Sequence, residues 1–352
     1  MPFKIIRNDI ITMTVDAIVN TANPCPIIGG GVDYAIHHAA GHELLKARQE
    51  IGSISVGEAF ITDAYKLPAK HVIHTVGPVW QGGSNHERDS LRKCYLSSLQ
   101  LAFDNHCESI AFPLISAGIF GCPADIAIET AVQAISSFLM HKDMQVYLVI
   151  FDKNAFQISG HLFQDIQAFI NEKYVQEKLD EEYRIDGPDS SQRRRNDAII
   201  QASAAEPMDL AEERYDVPLW LPVKKAKSKE RTLQDLIDES DATFSESLLH
   251  IIDSKGLKDP DVYKRANIDR KLFSKIRNNP QYQPRKETAL AFAIALELNL
   301  DETKDFIGRA GFALTHSSKR DIIIEYFIEK KDYDIFTINE TLFAFDQPLL
   351  GC

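Results

Sequence analysis

Through the first half of the chain, short runs of β-branched and aromatic residues alternate with longer amphipathic stretches. MPFKIIRNDI reads as a strand followed by a turn. Val15–Val19, Ala59–Ile61, His71–Val76, Ser109–Ile115 and Val146–Phe151 are apolar enough to be strands covered on both faces. Between them, Val32–Glu50, Arg88–His106, Ala124–His141 and Ala155–Tyr174 space their apolar residues as helices do. Strand alternating with helix predicts an α/β fold: a mostly parallel sheet flanked by helices on both sides. Such sheets hold ligands at the carboxyl ends of their strands, on the loops that lead into helices.

The pattern breaks at about residue 176. As far as about 232 the chain is polar, rich in both charges and poor in periodic apolar residues, which predicts a flexible linker. One apolar island, Val217–Val223, is too rich in Pro for a helix and reads as a segment that docks on a domain or binds a partner. From 233 to 352 the spacing becomes helical throughout. Helices are predicted near Phe244–Lys255, Asp261–Arg265, Arg270–Arg277, Lys286–Leu298, Asp301–Gly308, Ser318–Lys331 and Ile338–Phe345. Their expected caps are Thr243 or Ser245, Asp269, Asp301 and Ser317. The reading is therefore three parts: an α/β domain at 1–175, a linker at 176–232 and an all-α domain at 233–352.

Composition narrows the function. The 352 residues include 39 Lys plus Arg and 51 Asp plus Glu, a formal net charge of −12. That length exceeds one ordinary core. No apolar run reaches the roughly 18–20 residues of a membrane helix, and the N-terminus does not read as a secretory signal. Cysteines at 25, 94, 107, 122 and 352 form no C-x-x-C pair, so neither a disulfide scaffold nor a metal site is expected, and a reducing cytoplasm is. No cofactor is expected. The charge argues, as a total, against nucleic-acid binding, but a total hides local segregation.

The most informative stretch is VDAIVNTANPCPIIGGGVDYAIHHAAG. A buried strand ends at Asn20, a loop with Asn23 follows, and Gly29, Gly30 and Gly31 precede a helix that opens with Val32 and Asp33. Glycines before a helix let backbone N–H groups approach an anion, and the helix dipole adds to the attraction. Ser116-Ala117-Gly118-Ile119-Phe120-Gly121 has the same character, after another strand and before another helix. Two such loops on neighbouring strand ends would clamp a diphosphate from both sides. Neither contains a basic residue, so an acidic domain can hold the anion on backbone amides.

These motifs together resemble the macro domain, an ADP-ribose-binding module, in its MacroD-type ADP-ribosyl hydrolase branch. NTAN with GGGVDYAIHHAAG resembles the first signature, LPAKHVIHTVGPVW and PLISAGIFG the middle ones, and VYLVIFDKNAF the last strand. The resemblance covers about half the chain. It implies that Asp9 accepts the adenine amino group with the Ile10 N–H nearby, and that Phe151, followed by Asp152, packs on adenine. Asn20, Gly29, Gly30, Gly31 and Val32 would line one side of the ligand. Ser116, Ala117, Gly118, Ile119, Phe120 and Gly121 would line the other, with Phe120 shaping the distal ribose pocket. Asn23 would orient the distal ribose hydroxyls, and Asp33 would position or activate water, making these two the catalytic candidates. The implied substrates are mono-ADP-ribosylated acidic side chains of proteins or O-acetyl-ADP-ribose. The chain departs from that branch at Ile28, where a fourth glycine is usual, and at Ala117, where Thr is usual.

Plainer roles stand beside these. Asp33 is either catalytic or a cap for its own helix. Phe120 and Phe151 are either ligand contacts or core residues. His37 and His38 point in different directions on one helix, so one is packed and one exposed. They cannot chelate a metal together.

The second half hides a charge asymmetry. Lys255–Lys286 contains 10 basic and 3 acidic residues, against 6 basic and 12 acidic in 287–352. Within it, DVYKRANIDRKLFSKIRNN reads as helix, tight turn and helix, with Val262, Ala266, Ile268, Leu272, Phe273 and Ile276 inward. This resembles the Cro/repressor-type helix-turn-helix, with Asn267 at the tight position where Gly is usual. It implies DNA contact through Arg270, Lys271, Lys275 and Arg277. The alternative is a basic face on a protein-interaction bundle. Three functions follow: an ADP-ribosyl hydrolase targeted by its helical domain, a non-catalytic ADP-ribose sensor, and a nucleic-acid regulator.

Overall fold

The structure, a computed structural model, describes residues 2–151, 164–173 and 242–351. Asp152, Cys352, the expected linker with Val217–Val223, and the first part of the helix expected at Ala155–Tyr174 lie outside the described residues.

Six strands form one sheet: β1 (Phe3–Arg7), β2 (Ala17–Thr21), β3 (Ala59–Asp63), β4 (His71–Thr75), β5 (Ser109–Pro113) and β6 (Gln145–Ile150), in the order β1-β6-β5-β2-β4-β3. Every pairing is parallel except β3 with β4. Side-chain alternation along each strand serves two layers. Ile18, Val72, Ala111 and Val149 bury against Ile36 and Leu44 of α1 (Val32–Ala40) and α2 (His42–Ile51). Val19, Ile73, Phe112 and Leu148 bury against Leu91, Leu99, Ile128 and Ile135 of α3 (Glu87–Asp104) and α4 (Ala124–Leu139). The helix expected across Val32–Glu50 is two helices. Gly41, at φ 96° and ψ 178°, ends α1 and begins α2, a turn that its missing Cβ permits.

Residues 164–173 form α5. The all-α part follows as α6 (Phe244–Ser254), α7 (Asp259–Arg265), α8 (Arg270–Arg277), α9 (Lys286–Ala295), α10 (Leu300–Gly308), α11 (Lys319–Glu329) and α12 (Ile335–Ala344). Thr243 and Asp269 cap α6 and α8. Asn299, not Asp301, caps α10 through a reciprocal box with Glu302, and Ser318, not Ser317, caps α11. The reason is positional: the cap must precede the first helical residue, and each expected residue missed that place.

The described residues form one compact unit, with a continuous apolar core. The Asn267 side chain sits against edge strand β1: its amide donates to the Phe3 carbonyl at 2.9 Å and its oxygen accepts from the Phe3 N–H at 2.7 Å. Asn267 takes φ 54°, the left-handed turn position expected for it. Arg7 of β1 pairs with Asp346 at 2.6 Å and lies over the Phe343 ring. Lys173 of α5 pairs with buried Glu325 of α11 at 2.8 Å. No helix among the described residues is long and apolar enough to cross a membrane.

Candidate active site at the carboxyl edge of the sheet

The parallel strands end on one edge, and the loops that follow them carry the candidate residues. After β2 come Ala22–Gly31, after β5 Leu114–Pro123, after β1 Asn8 and Asp9, and after β6 Phe151. Strands β2 and β5 are neighbours, so the two glycine-bearing loops lie side by side. They touch: a Cβ added at Gly30 would come within 2.8 Å of Ile119 Cδ1. The second loop closes on itself through Gly121 N–H to the Gly118 carbonyl and Cys122 N–H to the Ser116 carbonyl, each at 2.9 Å. Ser116 adopts φ 64°, a conformation that costs a non-glycine residue and concentrates at functional sites. Its hydroxyl is buried against Gly77, where a Cβ would collide with it.

Asp33 is 2% exposed, and both of its carboxylate oxygens are engaged. Oδ1 accepts from Asn20 Nδ2 at 2.6 Å, and Oδ2 from the Gly29 N–H at 2.5 Å. The carboxylate thus ties the glycine loop to the end of β2. It does not cap its own helix, whose N-cap is Gly31 with no side-chain bond. Asn20 is fully buried and its Nδ2 also meets His74 Nδ1 at 3.2 Å, while His74 Nε2 meets Thr62 Oγ1 at 3.1 Å. Asp33 fixes the amide orientation, since the carboxylate needs the NH2 side of Asn20. His74 Nδ1 must therefore accept, and its proton sits on Nε2. Burial, with His37 and Arg48 adding, pushes the His74 pKa down to about 3. His37, 3.6 Å from Asp33, is also lowered by burial, against the pull of the carboxylate. His37 is buried and His38 exposed, the division expected for adjacent residues on a helix.

Asn23 stands apart from this cluster. Its side-chain oxygen accepts from the Cys25 N–H at 3.2 Å, forming a turn at the loop's tip. Its carbonyl is held by Arg48, whose buried guanidinium also donates to the Pro24 carbonyl at 3.3 Å and to Gly52. Arg48 has no ion pair among the described residues. Burial lowers its pKa, partly offset by Asp33. Glu87 fastens the loop after β4, accepting from the N–H groups of Gln81, Gly83 and Asn85 at 3.0, 3.2 and 2.6 Å. That loop in turn reaches the second glycine loop, as Trp80 N–H donates to the Phe120 carbonyl at 2.8 Å. Reasoning from sequence missed Arg48, His74 and Glu87. The available signal for Arg48 was a charge one turn beyond Leu44, on the buried side of α2.

At the opposite end, Asp9 Oδ1 accepts from the Ile11 N–H at 3.2 Å and caps the short turn Ile10–Thr12. Ile10 is buried. Phe151 is 79% exposed, which excludes a core role, and Ile119 is 80% exposed. Phe120 and Ala117 are half-buried, and Val32 lies at the first turn of α1. Gly118 and Gly121 are exposed on the loop surface. Ile27, Ile28, Val79 and Tyr34 add exposed apolar surface on the same loops and the adjoining helix. Among the described residues no group of three or more His, Cys, Asp or Glu is placed to hold a metal ion.

Sequence comparison places this architecture. Residues 19–131 match the family model of the Macro domain. An O-acetyl-ADP-ribose deacetylase of Enterobacter sp. (strain 638) is 50% identical over 165 residues, which are 45% of this chain and 92% of that protein. A macro domain-containing protein of Chlorobaculum tepidum is 53% identical over 134 residues, 38% of this chain and 78% of its own. The solved Oceanobacillus iheyensis macrodomain with ADP is 40% identical, covers 44% of this chain and 85% of its own, and superposes with a TM-score of 0.43. With half the residues shared across nearly the whole length of such a relative, this chain belongs to the macro domain family.

Proposed function

We propose that the α/β half binds ADP-ribose along the carboxyl edge of its sheet and hydrolyses O-acetyl-ADP-ribose and mono-ADP-ribose esters of acidic side chains. The observation that carries the reading is the junction of Asp33 with the glycine loop and Asn20, in an α/β half whose 165 matched residues are 50% identical to a protein named O-acetyl-ADP-ribose deacetylase. The diphosphate would lie between Gly29–Val32 and Ser116–Gly121, on backbone N–H groups and the α1 N-terminus. Adenine would rest by Phe151 near Asp9 and Ile10, with Asp152 following. Asn23 would meet the distal ribose, with Phe120 shaping its pocket.

Ester hydrolysis adds water to the acyl carbon, breaks the ester C–O bond and protonates the leaving sugar oxygen. It needs an oriented water and a proton acceptor. Asp33 suits that role because its protein hydrogen bonds fix the carboxylate plane and leave lone pairs on both oxygens. Measuring release of acetate from O-acetyl-ADP-ribose tests the reading: wild type turns over, Asp33→Ala loses at least about 100-fold, in the range expected of a positioned proton acceptor, and Asn23→Ala loses about as much through misplaced substrate. Wild-type release equal to a buffer blank sinks it.

A specific observation favours a second reading, an ADP-ribose sensor without turnover. Asp33 and Asn23 both spend side-chain oxygens on loop backbone, as purely structural residues do. Tight ADP-ribose binding by calorimetry, together with that blank-level release, selects it.

A further inference from the structure

ADP-ribose in the pose above would cover only part of the exposed apolar surface at the carboxyl edge. On the basis of that reading, we propose that a groove along α1 and the start of α2, from Ile28 to Leu45, holds the polypeptide of an ADP-ribosylated protein beside its modified side chain.

The exposed apolar surface is unevenly placed. All nine large apolar side chains exposed among the described residues belong to the α/β half, and six of them lie on the loops of the candidate site and the adjoining helix. Bound ADP-ribose would cover Phe151 and Ile119. Ile27, Ile28, Tyr34 and Val79 would stay exposed. Apolar patches of this kind mark surfaces that meet another macromolecule.

Two of these residues shape the groove. Ile28, Tyr34, His37, His38, His42 and Leu45 line a cavity of about 240 Å³. That is less than the roughly 300–1,000 Å³ of a pocket that binds a small molecule by itself, and it fits a side chain or two of a ligand anchored elsewhere. The Tyr34 and His38 rings stack, 7° from parallel with centroids 5.8 Å apart, and both are exposed. A rigid tyrosine gives a large contact area at small entropic cost.

The groove begins at the candidate catalytic carboxylate. His37, 5% exposed, lines it and lies 3.6 Å from Asp33, so a single side chain separates the two. The His37 Nδ1 is buried with no hydrogen-bond partner among the described residues. An unpaired buried nitrogen is costly, and a peptide group entering the groove would supply the partner. From residue 34 to 41 a helix rises about 10 Å, the length of about three residues of extended chain. His38 and His42, both exposed, offer ring nitrogens to the peptide groups of that chain. An acetyl ester is too short to occupy the groove.

The test is calorimetry of the full chain with two probes: ADP-ribose, and a short peptide carrying ADP-ribose on a Gln side-chain amide, a stable stand-in for the ester. Wild type is expected to bind the conjugate at least about 5-fold more tightly than ADP-ribose, a gain within reach of stacked aromatic contacts. Y34A/H38A is expected to lose that preference while keeping its ADP-ribose affinity within about 2-fold. Leu45→Trp, which fills the far end of the groove, is expected to lose it by obstruction and decides the matter if Y34A/H38A lowers the thermal midpoint. V56A/F60A removes apolar surface exposed elsewhere on the α/β half and is expected to bind both probes like wild type. Equal affinity of wild type for the two probes, a preference that survives Y34A/H38A, or one that V56A/F60A also abolishes would overturn the groove and leave the ADP-ribose reading standing. No binding of ADP-ribose by wild type would overturn both.

Discussion

Acidification from about pH 8 to pH 5 is expected to cost the wild-type chain about 2 kcal/mol more folding free energy than it costs a His74→Gln variant. The magnitude follows from the buried imidazole. His74 titrates near 6.5 when unfolded and near 3 when folded. The folded chain therefore refuses a proton that the unfolded chain accepts. Stability is present above pH 6.5 and is lost as pH falls from 6.5 toward 3. At about pH 5 the unfolded side has run 1.5 units below its pKa, worth about 2 kcal/mol at 1.36 kcal/mol per unit. The structural reason is visible: a proton on Nδ1 would face the Asn20 NH2, which Asp33 holds in place. Gln at 74 can accept from Asn20 without titrating. Groups remote from His74 move with pH alike in both proteins and cancel in the difference. Among them is Glu340, raised to about 7 by burial and nearby acids, which adds stability as pH falls through 7. The assay is urea unfolding followed by Trp80 fluorescence in a Trp220→Phe background. Parallel pH profiles for the two proteins would refute the reasoning, since then the buried ring is not the group that excludes the proton.

Three further outcomes follow from single contacts. Arg48→Met strips donors from the carbonyls of Asn23, Pro24 and Gly52; a loss of about 1–3 kcal/mol in urea titration is expected, with a larger fall in kcat than in ADP-ribose affinity because Asn23 loses its anchor. Gly30→Val drives a side chain into Ile119 and is expected to weaken ADP-ribose binding at least about 10-fold by calorimetry, with a small change in thermal midpoint, since both loops are at the surface. Asn267→Ala leaves the Phe3 N–H and carbonyl without their partner and keeps an L side chain at φ 54°; about 2 kcal/mol of destabilisation is expected by urea titration.

Much of the fold was legible because strand runs such as Ser109–Pro113 are apolar on both faces, and a parallel sheet demands that. The ends were less so. Val15 is buried but lies before β2, and Thr21, polar, lies within it: backbone pairing to Thr75, not hydropathy, sets the strand's limit. Gly41 breaking one helix into two was hidden because its flanks share one amphipathic phase. The glycine loops and Asp33 stood out since their chemistry is local in sequence. The contacts that hold them are not. Arg48 reaches Asn23 across 25 positions and His74 reaches Asn20 across 54, and no spacing rule announces either. In the helical half the inward residues of α7 and α8 followed from period alone, but four of the ten basic residues in Lys255–Lys286 proved to be spent on ion pairs that sequence does not show.

The Asn267 side chain does for β1 what one peptide group of a seventh strand would do. It offers an acceptor and a donor to Phe3 in the geometry of a neighbouring backbone. A sheet margin left open is a template for another molecule's chain. The helical half therefore works as a plug on that margin, and its aromatic ring at Phe336 backs the plug against Phe3. A truncated α/β half would be expected to keep its cleft, yet self-associate along β1 with rising concentration. The helical half thus shields the sheet to which it is fused.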